Sequence, residues 1–193
     1  MPRANLTAEA VITAAADLAD HDGFDALALS ALARRLGVQT ASLYSHVRDR
    51  SALLAGVHRL ALGELAGAIA PAIGGRSGRE ALIAFAGAHR DYARRFPGRW
   101  TALQRPAAES TVRSGEAARL AGLTLAMLRG YRLPETELVH ATRLLAATVN
   151  GFLSLEANGS FGHREPTADV SWLRALDALD TVLRSWPTEG KPR

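Results

Sequence analysis

Twelve residues, Leu36-Gly37-Val38-Gln39-Thr40-Ala41-Ser42-Leu43-Tyr44-Ser45-His46-Val47, gather an amide, three aliphatic hydroxyls, a phenol and an imidazole within two helical turns. Such groups donate and accept hydrogen bonds. On one short helix they suit the reading of a polar surface better than the making of bonds. Only Val38, Leu43 and Val47 need to face a core, which leaves the other side chains to solvent. A two-turn helix is marginal alone, so neighbouring helices must hold it and its outer face is free for recognition.

Those neighbours are legible. Thr7 is a plausible N-cap, with Glu9 in the first turn of a helix whose apolar stripe is Val11, Ala15, Leu18 and Ala19. Gly23, read as a left-handed glycine, and Phe24, an apolar residue packing back, end it. Leu29, Leu32, Ala33 and Leu36 follow at i, i+3, i+4, i+7, and Gly37 stops that helix before the short one at about 40–46. Asp49 caps a longer helix bearing Leu53, Leu54, Val57 and Leu60, which fades near Pro71. Helix, glycine turn and short helix form the helix-turn-helix pattern, whose second helix enters the major groove. Beyond the loop Gly74-Gly75-Arg76-Ser77-Gly78, helices are expected at about 79–95, after Pro97-Gly98, and at 111–131, 135–158 and 169–186.

The 193 residues are 48% apolar and 22% charged, a globular balance, and Ala and Leu make up about a third of them. With only 6% aromatic residues and no period-two alternation, the expectation is all-α, with about nine helices. Cysteine is absent, which excludes disulfides, thiol nucleophiles and cysteine-held metals or clusters. No Gly-x-Ser-x-Gly, His-Glu-x-x-His, phosphate-loop or dinucleotide fingerprint occurs, and the histidines at 21, 46, 58, 89, 140 and 163 are scattered. Neither catalysis, a metal nor a cofactor is expected. The net charge of +4 is concentrated at residues 30–60, where Arg34, Arg35, Arg48, Arg50 and Arg59 face only Asp49. That patch suits a polyanion or is simply a solvated helical face. Glu9, Asp17 and Asp20 interrupt any signal-peptide layout, and no apolar run reaches membrane length, so a cytoplasmic protein with no membrane partner is expected.

Residues 6–60 resemble the N-terminal DNA-binding domain of TetR-family transcriptional regulators. The likeness lies in the Gly23-Phe24 turn, in Leu32 to Val38, and most of all in Ser42 to Leu54. There the family's tyrosine, histidine and Lys-x-x-Leu-Leu pattern recurs with Arg50 in place of lysine. The resemblance implies a homodimeric repressor of a palindromic operator, released by a small-molecule inducer. It also implies an N-terminal domain at 1–50, linked through helix 49–70 to a helical regulatory and dimerisation domain at 51–193. Gln39, Thr40 and Ser42 are short enough for base edges or nearby phosphates, and Ala41 can pack on a thymine methyl. Tyr44 and His46 are expected on backbone phosphates, as in the family; a packed ring and a surface imidazole are the alternatives. Arg50 adds charge at a helix N-terminus, and Ser30 can donate to the backbone. Ser45 stands where relatives often carry a larger or aromatic residue.

Residues about 79–162 resemble the WHG-type TetR C-terminal domain through His89, Phe96-Pro97-Gly98 and Asn150-Gly151-Phe152-Leu153-Ser154-Leu155-Glu156. Asn150 replaces that type's histidine. The helices that enclose the pocket in relatives supply His89, Tyr92, Phe96, Trp100, Met127, Asn150 and Phe152 as candidate contacts for an apolar or aromatic effector; ordinary core packing is the alternative. In the last helix Trp172, Leu176, Leu179, Leu183 and Trp186 are spaced as a heptad seam, expected at a dimer interface, while Leu173 and Val182 offer a second apolar side to their own domain. A transcriptional activator, a ligand-independent regulator and a non-DNA-binding interaction protein are the rival readings on the same fold.

Overall fold

The computed structural model describes residues 6–187. The described residues form α1 (Ala8–Asp22), α2 (Leu29–Leu36), α3 (Thr40–Leu43), α4 (Arg50–Ile73), α5 (Gly78–Arg95), α6 (Pro97–Leu103), α7 (Glu109–Val112), α8 (Gly115–Arg129), α9 (Leu138–Ala157) and α10 (Ala168–Arg184), with no strand among them. Single 3-10 turns stand at Phe24–Ala26 and Glu135–Glu137. The helix expected at 111–131 is two: the chain breaks after Val112, and the Ser114 hydroxyl accepts the Ala117 N–H at 3.2 Å to start α8 afresh.

The chain divides into two compact units, Met1–Ala66 with Tyr92–Leu120, and Gly67–Asp91 with Ala121–Arg193. In the first unit, Thr7 Oγ1 accepts the Ala10 N–H at 3.1 Å and so caps α1. Val11, Ala15, Ala16, Leu18 and Ala19 form its buried stripe, packed with Phe24, Leu27, Leu32, Ala33, Leu43, Val47, Leu53 and Val57. Each large aliphatic side chain in that cluster contributes about 1.5–3 kcal/mol by leaving water. Gly23 has φ 92° and ψ 147°, a positive φ but an extended ψ rather than the left-handed helical cap expected. Gly37, at φ 66° and ψ 30°, is the true left-handed cap, and its N–H reaches back to Ala33 and Arg34.

Buried Arg99 gathers the acids of this unit. Its guanidinium pairs with Asp17, with Asp20 at 3.1 Å and with Glu64 at 3.1 Å, and it lies 4.6 Å from the centre of the Phe96 ring. Tyr92 donates its phenol proton to Glu64 at 2.8 Å, and burial followed by the Glu64 carboxylate pushes that phenol's pKa up.

The second unit is built on Ala81, Leu82, Phe85 and Ala86 of α5, Met127 and Leu128 of α8, and the inner faces of α9 and α10. Buried Arg90 pairs with Glu156 and with Asp169 at 2.7 Å, and it lies 5.3 Å from the Trp172 ring. Tyr131 donates to Asp180 at 2.7 Å, and Arg184 holds the other carboxylate oxygen at 2.8 Å. Here one expectation is corrected. Trp172, Leu176, Leu179 and Leu183 are at most 4% exposed within their own unit, and half-buried Trp186 donates to Glu137 at 3.0 Å. The heptad seam is consumed by the core. Val170, Leu173 and Val182 remain exposed on α10, Val170 and Leu173 on one flank of the buried stripe and Val182 on the other, with Val139 and Leu155 exposed on α9.

Two segments, Arg50–Ile73 and Glu135–Ala157, are as long and apolar as a membrane span, contrary to the reading of the sequence, because few charges fall in their windows. Their apolarity has a use inside the protein: Leu53, Val57, Ala61, Leu65 and Ile69 of the first, and Leu138, Leu145, Val149 and Leu153 of the second, are core residues.

Candidate nucleic-acid interface

The recognition segment is held from within. Leu43 is fully buried and Val47 nearly so, which anchors α3 on the first unit's core. The four residues of α3 are extended by turn hydrogen bonds, His46 N–H and Val47 N–H both reaching the Leu43 carbonyl at 2.9 Å. Asp49 then starts α4: its carboxylate accepts the Ala52 N–H at 2.7 Å, and that bond, with Arg48, holds its pKa below the usual range. The anchors fix which side chains turn outward.

Gln39, Ala41, Ser42, Tyr44 and Ser45 are exposed, Tyr44 at 56%, while Thr40 and His46 are half-buried. Gln39, Ser42, Ser45 and His46 line one open concavity of about 810 Å³, together with Leu6, Gly37 and Val38. Four of the nine expected DNA contacts therefore share a surface. Ser45 has a local task as well: its hydroxyl donates to the Ser42 carbonyl at 2.7 Å and closes the end of α3. Ser30 is exposed as the second residue of α2 and does not line that concavity.

Arg50 has partners that its position in the sequence did not suggest. Its Nε donates to the Leu27 carbonyl at 2.7 Å and its Nη2 to the Asp25 carbonyl at 3.4 Å, which ties the start of α4 to the chain entering α2. The exposed cations nearest in sequence to α3 are Arg34, Arg35 and Arg48, the last paired with Asp49 at 2.9 Å.

The expected effector contacts fall into both units. In the first, Tyr92 and Phe96 stack at 5.2 Å beside Arg99, and Trp100 is buried. In the second, Met127 is buried, Asn150 is half-buried, and Phe152 packs on Phe161 at 4.8 Å and on Trp172 at 5.0 Å. His89 is buried, bonded through Nδ1 to the Phe85 carbonyl at 2.9 Å, and burial pushes its pKa down to about 4. Sequence reasoning missed the Arg99 cluster, although Asp17 and Asp20, placed i, i+3 beside a buried alanine stripe, were a signal that a cation must meet them. Among the described residues no group of three or more His, Asp or Glu side chains is placed to hold a metal.

Comparison with known proteins agrees with this surface. Residues 11–57 match the family described as bacterial regulatory proteins, tetR family, and residues 82–179 match the tetracyclin repressor-like C-terminal domain. The chain is 28% identical to the uncharacterised HTH-type transcriptional regulator YobS of Bacillus subtilis (strain 168), over 85% of this chain and 86% of that one. It is 30% identical to the uncharacterised HTH-type transcriptional regulator Rv0681 of Mycobacterium tuberculosis, over 81% of this chain and 72% of that one. Its fold is similar to that of a TetR variant from Acinetobacter baumannii AYE solved in complex with minocycline, with a TM-score of 0.67, 23% identity and coverage of 94% and 97%.

Proposed function

The chain belongs to the tetR family of DNA-binding transcriptional regulators, and on that premise we propose that it represses transcription as a homodimer on a palindromic operator and is released by a small-molecule inducer. The observation that carries the reading is the division of labour in residues 38–47. Leu43 and Val47 are buried as anchors, and the amide, hydroxyls and phenol between them are presented outward. Gln39, Thr40, Ala41 and Ser42 read base edges in the major groove. Tyr44, His46 and Ser30 contact the phosphate backbone, to which Arg50 adds charge. Ser45 takes part mainly by shaping the end of α3.

In this reading DNA binding belongs to residues 1–50, continued by α4, and dimerisation and effector binding to residues 51–193. Dimerisation uses the exposed apolar flank of α10 around Val170 and Leu173. Two recognition helices must then stand one helical turn of DNA apart, or a multiple of it. The minocycline complex of a TetR of similar fold supports a small-molecule effector, which we take to be apolar or aromatic. Among the second unit's candidates, His89, Met127, Asn150 and Phe152 are the contacts to vary. The effector acts only through its differential affinity for the form that cannot bind DNA. Like the regulators it resembles, the protein works by binding and not by catalysis, in the cytoplasm.

The test is selection of binding sequences from random duplexes. Wild-type protein should return an inverted repeat, and Gln39→Ala or Thr40→Ala should change the preferred bases at a cost of about 1–3 kcal/mol per lost contact. An unchanged consensus for both variants removes the base-reading assignment. Failure to enrich any sequence favours the interaction-protein reading.

A further inference from the structure

A second concavity in the first unit shares no lining residue with the one on the recognition segment. It measures about 360 Å³ and is lined by Phe24 and Asp25, by Arg50, Ser51, Leu54, Ala55 and His58 along α4, and by Arg105, Pro106 and Ala108 after α6. The α4 residues at 51, 54, 55 and 58 follow helical spacing, so one face of that helix forms a continuous wall. The size lies at the low end for a small-molecule site, and polar and apolar residues contribute about equally to the lining.

The chemistry of the lining is one-sided. Phe24, Leu54, Ala55 and Pro106 supply an apolar surface. Two guanidinium groups, of Arg50 and Arg105, line the cleft with a single carboxylate, that of Asp25. Arg105 pairs with it at 2.5 Å, whereas Arg50 is bonded only to backbone carbonyls and its charge is not cancelled. His58 closes the wall. It is 8% exposed, it has no hydrogen-bond partner among the described residues, and burial lowers its pKa, so near neutrality it is an uncharged imidazole with a donor and an acceptor to spare.

We propose that this cleft binds a small organic carboxylate with a compact apolar body, the carboxylate meeting Arg105 and the excess positive charge at Arg50, and the body lying on Leu54, Ala55 and Pro106 against the His58 imidazole. A neutral molecule of the same shape leaves the guanidinium charge unmet and binds less well. A dianion meets Asp25 and is disfavoured. The inference concerns a site on the protein alone and is tested without DNA, so its failure leaves the regulatory reading untouched.

The probe is sodium benzoate, titrated into the full-length protein, with benzyl alcohol as the uncharged counterpart. The readout is the His58 imidazole proton resonance, assigned by its loss in His58→Asn. Benzoate should shift that resonance saturably, with a dissociation constant in the millimolar range or tighter, and benzyl alcohol should bind about tenfold more weakly. Ala55→Phe, which fills the cleft, should abolish both responses. Arg105→Gln, at a side chain half-exposed and safe to change, should weaken benzoate about fivefold or more and leave benzyl alcohol unaltered. This second variant keeps the test decisive if the filled cleft prevents folding. No saturable shift at His58, equal affinity for the two probes, or an unchanged benzoate response in Arg105→Gln overturns the proposal.

Discussion

Arg50 Nε donates to the Leu27 carbonyl across 23 residues of chain, at 2.7 Å, and this bond joins the first turn of α4 to the segment that leads into α2. The planar guanidinium serves Leu27 and Asp25 from two separate nitrogens, a fork that the single nitrogen of a lysine does not reproduce. Arg50→Ala should therefore lower the stability of the first unit by about 1–2 kcal/mol, the range for a charged donor at an exposed site. Urea unfolding monitored by circular dichroism measures it. Arg50→Lys should recover less than half of the loss while keeping the charge. If Arg50→Lys is as stable as the parent, the clamp has been overvalued and charge is what matters at this position.

Gly98 makes a second close approach. A Cβ built on it would lie 2.1 Å from both the carbonyl carbon and the oxygen of Ala19. The next residue, Arg99, brings its N–H to Asp20 at 2.9 Å, so α6 is docked on α1 through backbone contact. Gly98→Ala must push the two helices apart and strain the Arg99 ion pairs, at about 3 kcal/mol or more. Gly122→Ala is the control, because nothing lies within 4 Å of its Cβ position in α8. That substitution should be neutral or stabilise by up to about 1 kcal/mol. Equal thermal midpoints for the two variants would show that α6 yields easily.

Much of this was legible in the sequence. The glycines at 23 and 37, the Asp49 cap and the Leu43 and Val47 anchors depend on near neighbours in the chain, and local rules find such features. The Arg50–Leu27 and Arg99–Glu64 contacts join residues 23 and 35 positions apart, and no spacing rule reaches that far. The last helix shows a different limit. Trp172, Leu176, Leu179 and Leu183 form one stripe, while Leu173 and Val182, expected to turn to their own domain, stand exposed on its two flanks. Periodicity identifies the apolar stripe but does not say whether it faces the chain's own core or a second copy. The larger side chains went inward, where they bury more area.

His89 gives the second unit a pH dependence with a definite sign. Its folded pKa is about 4, against 6.5 for an ordinary histidine, because burial disfavours the imidazolium. The folded state thus takes up its proton less readily than the unfolded chain. The stability it sustains is complete above about pH 6.5 and falls as the pH drops toward 4, by a few kcal/mol in total. His89→Phe should flatten the unfolding free energy between pH 7 and about pH 4.5. An equally steep decline in that variant assigns the acid sensitivity to other groups.

The exposed side of α10 decides between two versions of assembly. Leu173 is 50% exposed and Leu176 is 1% exposed, three residues apart on the same helix. A glutamate at 176 must be buried in the core of its own unit, without a partner, at several kcal/mol. Leu176→Glu should therefore lose helicity and thermal stability first, and lose its partner only as a consequence. A glutamate at 173 sits in water on a free chain, so Leu173→Glu should keep the parent's circular dichroism and melting behaviour. If the Val170 and Leu173 side is where two copies meet, Leu173→Glu places like charges across the interface, and light scattering at micromolar concentration should report monomers. Each monomer holds one half-site, without the gain of linked binding. Affinity for an inverted repeat should then fall by orders of magnitude although residues 38–47 are untouched. A Leu173→Glu protein that stays dimeric, or a parent that is monomeric at that concentration, refutes this face as the interface.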